Sequence, residues 1–208
     1  MCYTMGCIRV KSNPNERKRR SYRHMSQGYH TSHATGNAVS KSMISITDYT
    51  SLCKGDITII TGSGESVCPI CGGMMTVRGT CIRKVRSEGG VRKLRLRVMK
   101  CRVCQKTHRE IPKDIIPYKR TSLTEYCEIV ESGANNYPCE TSTWQRMKLW
   151  LSWFIAFAQS VVRSLVCSGL LTMTRRPVGS LKEQTAYFVR LVVNSGNWIH
   201  NRSAMSVA

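Results

Sequence analysis

The chain has 208 residues, with 32 Lys and Arg against 12 Asp and Glu, a net charge of +20 and a pI near 9.9. That length holds one or two small domains with a modest core, and a charge this far from neutral points to a polyanion, either nucleic acid or an anionic membrane. Eleven cysteines would suit a disulfide scaffold in a small secreted chain, but the polar, basic N-terminus shows no apolar signal core, so free thiols in a reducing cytoplasm are expected.

Residues 1–42 read as a disordered basic arm. Arg17-Lys18-Arg19-Arg20 stands among Ser, Asn, Gly and His with little to bury. His24, His30 and His33 lack the regular spacing of a metal site. The pattern sharpens at Met43, which is read as an alternative natural start. Between 43 and 67 the sequence suggests an edge strand around Ile57-Thr58-Ile59-Ile60 and a Gly/Ser loop.

Cys68-Pro69-Ile70-Cys71-Gly72-Gly73 and Cys101-Arg102-Val103-Cys104 follow. Each CxxC pair delivers two thiolates from one tight turn, and two such knuckles complete a closed tetrahedral zinc site. A redox CxxC would need only one pair, set in a βαβ surround that is absent here. Zn2+ bound by Cys68, Cys71, Cys101 and Cys104 is therefore expected.

Between the knuckles, Met74 to Arg86 is rich in β-formers and Ser87-Glu88-Gly89-Gly90 supplies a turn. Leu94, Leu96 and Val98 then alternate with Lys93, Arg95 and Arg97, a strand with one buried side. Strand, turn and strand between two knuckles predict a small zinc ribbon over 43–117. From Arg78 to Arg109 the sequence holds twelve Lys or Arg and a single acidic residue, Glu88. Such a face can simply be solvated, but its density and single sign favour a polyanion. Arg92, Lys93, Arg95, Arg97 and Arg102 are the expected phosphate contacts, followed by Lys119 and Arg120.

His108 lies close to the site and could replace a cysteine as ligand, but with four thiolates available it is expected beside the metal ligands or on a phosphate. Pro112 and Pro117 suggest an extended linker. A helical domain then fills 118–208. Its first helix is capped by Ser122 with Glu125 three residues on. A second starts near Glu140-Thr141-Ser142-Thr143, with Thr141 or Ser142 as its cap, and carries Gln145, Arg146 and Lys148. Two helices joined in this way predict a helix-turn-helix-like reader. Leu149 to Leu171 is the most apolar stretch, but Arg163 sits near its middle, and the spacing of Trp150, Trp153, Phe154, Phe157, Val161 and Leu165 favours a core helix over a membrane span. Arg175-Arg176-Pro177 should stop it. A last helix runs from Leu181 to Val193, with Gly196 as its C-cap.

The two cysteine pairs, the hairpin, His108, Pro112 and Pro117-Tyr118-Lys119-Arg120 resemble the zinc-ribbon leader of ISL-three-type insertion-sequence transposases. They look closer still to an uncharacterised bacterial family with this leader. Its helical tail is echoed here by Ser142-Thr143-Trp144-Gln145-Arg146 and by Asn194, Trp198, His200, Arg202 and Ser203. The resemblance runs from about Met43 to the C-terminus. It implies an α+β protein that binds duplex DNA, without membrane association, in a cytoplasmic and nucleoid-associated setting, with a transposase or another protein as a possible partner. A nuclease of that kind holds its metals with spread carboxylates, and Asp114 is the only aspartate beyond Cys104. A non-enzymatic accessory or regulatory role follows. The alternative is a structural zinc module that binds protein or RNA.

Overall fold

Alternating apolar residues at 94 and 96 and at 99 and 101 make the strand Gly90–Cys101 the centre of the molecule. The computed structural model describes residues 43–87, 89–133, 139–172 and 178–198. The basic arm, Glu88, the expected stop at Arg175-Arg176-Pro177 and the tail residues His200, Arg202 and Ser203 lie outside them. In chain order the elements are β1 (Met43–Ile46), β2 (Tyr49–Lys54), β3 (Ile57–Gly62), β4 (Met75–Ser87), β5 (Gly90–Cys101), β6 (Thr107–Pro112), α1 (Leu123–Ser132), α2 (Thr141–Cys167) and α3 (Leu181–Asn194).

The six strands form one curled, mixed sheet, a half-barrel. β4 runs antiparallel along the whole of β5, with Ser87 opposite Gly90 at the turn. The other edge of β5 is shared: β3 pairs in parallel with Lys93 to Arg95, and β6 pairs antiparallel with Val98 to Lys100. β2 extends the sheet beyond β3, and β1 lies parallel to β6.

This corrects the expected fold class. A small zinc ribbon followed by a separate helix-turn-helix-like domain is not what forms; a six-stranded sheet with three helices replaces it. The reason lies in the segments on either side of the hairpin. The segment before the first knuckle supplies three strands instead of one edge strand, and these bring β5 a second partner edge. The stretch read as a linker is also packed, since Ile115 and Ile116 are fully buried and Pro117 is buried. Its chain docks on β4 through Arg86 N–H to Arg120 O (2.6 Å) and Ser122 N–H to Arg86 O (2.8 Å).

The two faces of β5 serve two cores. Leu94 and Leu96 join Ile111, Val85, Phe154, Val189 and Val192 under the helices. Met99 and Cys101, an odd number of residues further on, project to the opposite face and meet Ile44, Met75 and Cys68. On β4 the same change of face needs an extra residue. The register slips between Val77 and Gly79, so Arg78 is bulged and Met75 comes opposite Cys101. Burying each leucine or isoleucine contributes about 1.5–3 kcal/mol relative to exposure, so both faces are firmly specified.

The helices follow their sequence signals closely. The Ser122 hydroxyl accepts from the Glu125 N–H at 3.3 Å, as expected of a cap. α2 is the exception: Glu140 holds its N-cap position without a side-chain bond, so the expected Thr141 or Ser142 cap does not form, and the helix runs without a break from Thr141 to Cys167. Trp150, Leu151, Phe154, Phe157, Ala158 and Val161 are buried along one side of it. By length and composition alone α2 could cross a membrane, a property shared by the core helices of soluble proteins. The Tyr126 hydroxyl donates to Met147 O at 3.0 Å and ties α1 to α2. α3 ends in paired Gly196 N–H to Val193 O and Asn197 N–H to Val192 O bonds (both 3.1 Å), with Gly196 at φ +74°. Trp198 then lies against Phe154, with ring centroids 5.4 Å apart.

Candidate metal centre and basic surface

Two tight turns build the cysteine cluster. In the first, Gly72 N–H donates to Cys68 O and Cys68 N–H to Gly73 O, each at 2.9 Å. Gly72 takes φ +70°, a left-handed conformation that side chains disfavour. At Gly73 there is no room for a side chain: a Cβ would come 2.7 Å from the Val103 methyl and 3.1 Å from Cys101 Sγ. In the second turn Cys101 N–H donates to Lys106 O at 2.9 Å. Arg102 N–H to Met74 O (3.0 Å) stitches the two together.

The four sulfurs of Cys68, Cys71, Cys101 and Cys104 lie within 4.8 Å of one another. Cys68 and Cys104 are 3.6 Å apart and Cys71 and Cys101 3.4 Å apart, Sγ to Sγ. Four thiolates about 2.3 Å from a central ion in tetrahedral geometry would sit ~3.8 Å from each other, so the set fits a metal ion with little adjustment. Burial would push the Cys101 thiol up, but the N–H groups of Cys104 and Val103 and the thiols of Cys71 and Cys104 outweigh it and bring it down to about 6. That favours the thiolate, the form that binds metal.

Behind the sulfurs runs a buried polar chain on β6. His108 is buried, with Nε2 at 3.3 Å from Cys68 Sγ; burial and then the Lys106 charge hold its imidazole below the usual histidine range. A buried imidazole in this place would orient the Cys68 sulfur toward an ion held by the four cysteines. Two residues on and on the same face, Glu110 meets the Ser66 hydroxyl and the Arg97 guanidinium. Arg97 also donates to Gly62 O at 3.0 Å. Glu110 is easily passed over as a lone acidic residue in a basic stretch. A glutamate two positions from His108 on a short strand was the available clue.

The expected phosphate contacts are dispersed. Arg92 pairs with Asp114 at 3.3 Å, Lys93 pairs with Asp56, and Arg97 is committed to Glu110. Arg95 is half-buried, and Arg102 and Arg120 are exposed. The Lys119 ammonium sits 4.0 Å from the centre of the Trp150 ring. Gln145, Arg146 and Lys148 are exposed near the start of α2, where Arg146 bonds back to Ser142 O and the Thr143 hydroxyl and Lys148 lies over Trp144. The four cysteines are thus one constellation, whereas the basic residues occupy several surfaces.

Residues 68–147 match DUF6431, a domain of unknown function. The match begins at Cys68 and ends within α2, so it contains the whole four-cysteine cluster, β4 to β6 and α1. No curated protein and no solved structure matches the chain.

Proposed function

We propose that this protein is a zinc-stapled, non-enzymatic nucleic-acid-binding protein whose ligand is duplex DNA. One observation carries the reading: β4 and β5 hold four and five Lys or Arg respectively and no Asp or Glu. Three cations of β5 are neutralised by carboxylates from elsewhere, whereas Arg78, Lys84 and Arg86 remain exposed along β4. A long one-signed hairpin held rigid by a metal site is suited to a phosphate backbone. Four thiolates in a closed set select zinc over harder cations such as magnesium or calcium. The resemblance of the cysteine leader to that of insertion-sequence transposases supports a role beside transposable elements, as an accessory or regulator without a nuclease domain.

The test is a salt titration of binding to duplex DNA. Replacing Arg86 and Arg95 together by Gln should flatten the slope of log K against log salt by about 2, since each phosphate neutralised contributes about 0.9. An unchanged slope would remove the hairpin from the interface. Val77, Ile82 and Val91 are exposed on the same hairpin and favour a second reading, in which a protein partner sits there. In that case the wild-type chain would bind neither duplex DNA nor RNA with a salt slope beyond that of a scrambled basic peptide.

A further inference from the structure

A second basic feature lies away from the cysteines, on the helix-covered face of the sheet. Between β4, β6 and the connection from β6 to α1 is a cavity of about 210 Å3 whose walls include Arg83, Lys84, Arg109, Tyr118 and Arg120. Among the described residues no Asp or Glu lines it. Arg83 is fixed in place, donating from Nη2 to Ile116 O (2.8 Å) and Lys119 O (2.7 Å). Two carbonyls therefore orient this guanidinium, and its remaining N–H groups stay available as donors. Arg109 reaches the same cavity from β6, half-buried, and no carboxylate of the described residues pairs with it. Tyr118 stands on the wall in a left-handed conformation, φ +61°, one of two non-glycine residues with positive φ among those described.

Two half-buried guanidinium groups with no carboxylate partner among the described residues repel each other at a cost that an anion would remove. We propose that this cavity is a phosphate-binding pocket, in which Arg83 and Arg109 grip the phosphate oxygens and Arg120 lies at the wall beside them. Fixed guanidinium donors match tetrahedral oxyanions in geometry and charge. The repulsion registers on Arg83, whose pKa is held below the usual arginine range by burial and then by Arg109. The size of the cavity suits one phosphate with its immediate substituent. The proposal goes beyond the nucleic-acid reading because it stands on the concave face and on Arg83 and Arg109, not on the outer face of the hairpin.

The phosphate could belong to a nucleic-acid end or to a small free metabolite, and the experiment separates these. Inorganic phosphate is titrated into the metal-loaded full chain by calorimetry, against sodium chloride at matched ionic strength. Saturable binding is expected with phosphate only, and Arg109→Gln should weaken it at least tenfold. If Arg109→Gln does not fold, Arg120→Gln at the exposed wall serves, with an expected loss of several-fold. Competition by a 5′-phosphorylated oligonucleotide, several-fold better than its 5′-hydroxyl twin, would assign the pocket to nucleic-acid ends. Equal competition by the two would assign it to free phosphate compounds. Absence of saturable phosphate binding, or wild-type affinity in the folded variants, would overturn the proposal. The phosphate arm contains no nucleic acid, so its outcome is independent of whether the hairpin binds DNA.

Discussion

The side chain of Asn194 holds both backbone groups of Ser45, a residue 149 positions earlier: Ser45 N–H donates to Oδ1 at 2.8 Å, and Nδ2 donates to Ser45 O at 3.1 Å. Ser45 lies on β1, the strand at one edge of the sheet, and is itself buried. One amide thus satisfies an edge that would otherwise carry unpaired polar groups away from water.

Asn194→Ala should accordingly lower stability by about 1–3 kcal/mol, the cost of leaving buried backbone groups unsatisfied. Chemical denaturation gives the loss, and amide exchange at Ser45 gives its location. Exchange at Ser45 as slow as in the wild type would show that the bridge does not close in solution.

A larger effect is expected at Glu110. Its carboxylate is buried and grips Arg97 with two contacts, Nε to Oε2 at 2.5 Å and Nη2 to Oε1 at 3.0 Å. Glu110→Gln strands a guanidinium whose side chain is only 18% exposed, and breaking a buried pair from one side costs about 3–5 kcal/mol. Replacing both partners, Arg97→Met with Glu110→Leu, should recover most of that loss. If the single and double variants unfold at the same denaturant concentration, the pair is not the source of the penalty.

For the cysteine cluster the measurement is elemental analysis with a thermal melt. The wild type should hold one zinc per chain and Cys101→Ser almost none, with a melting temperature matching chelator-treated wild type. Binding energy at a structural zinc site is folding energy, of order 10 kcal/mol in small zinc peptides. Full zinc content in Cys101→Ser would mean the ion sits elsewhere.

The local content of the chain was largely legible. The two CxxC pairs brought four sulfurs together as their spacing requires, and Ser122 and Gly196 sit at helix ends as their residue types suggest. What escaped was non-local. Nothing in Met43-Ile44-Ser45-Ile46 announces a parallel partner some 66 residues away at Arg109 to Pro112. The alternation of Leu94, Leu96 and Val98 implied a strand with one buried side, whereas β5 has partners on both edges and buried residues on both faces. Pro112 and Pro117 suggested an open linker because proline restricts its neighbours, yet the Ile115-Ile116 pair between them is buried core.

The bulge at Arg78 has a consequence for how the hairpin can change length. Cys101 faces the other three cysteines only because β5 counts an odd step from Leu96 to Met99, while β4 matches it with one surplus residue. A two-residue insertion in each strand beyond the bulge would lengthen the arm and leave every sulfur aligned. A single-residue insertion in β5 between Leu96 and Met99 would swing Cys101 and Cys104 to the helix side. Natural relatives of different hairpin length should therefore differ by even increments on β5, or carry a compensating bulge that moves with them.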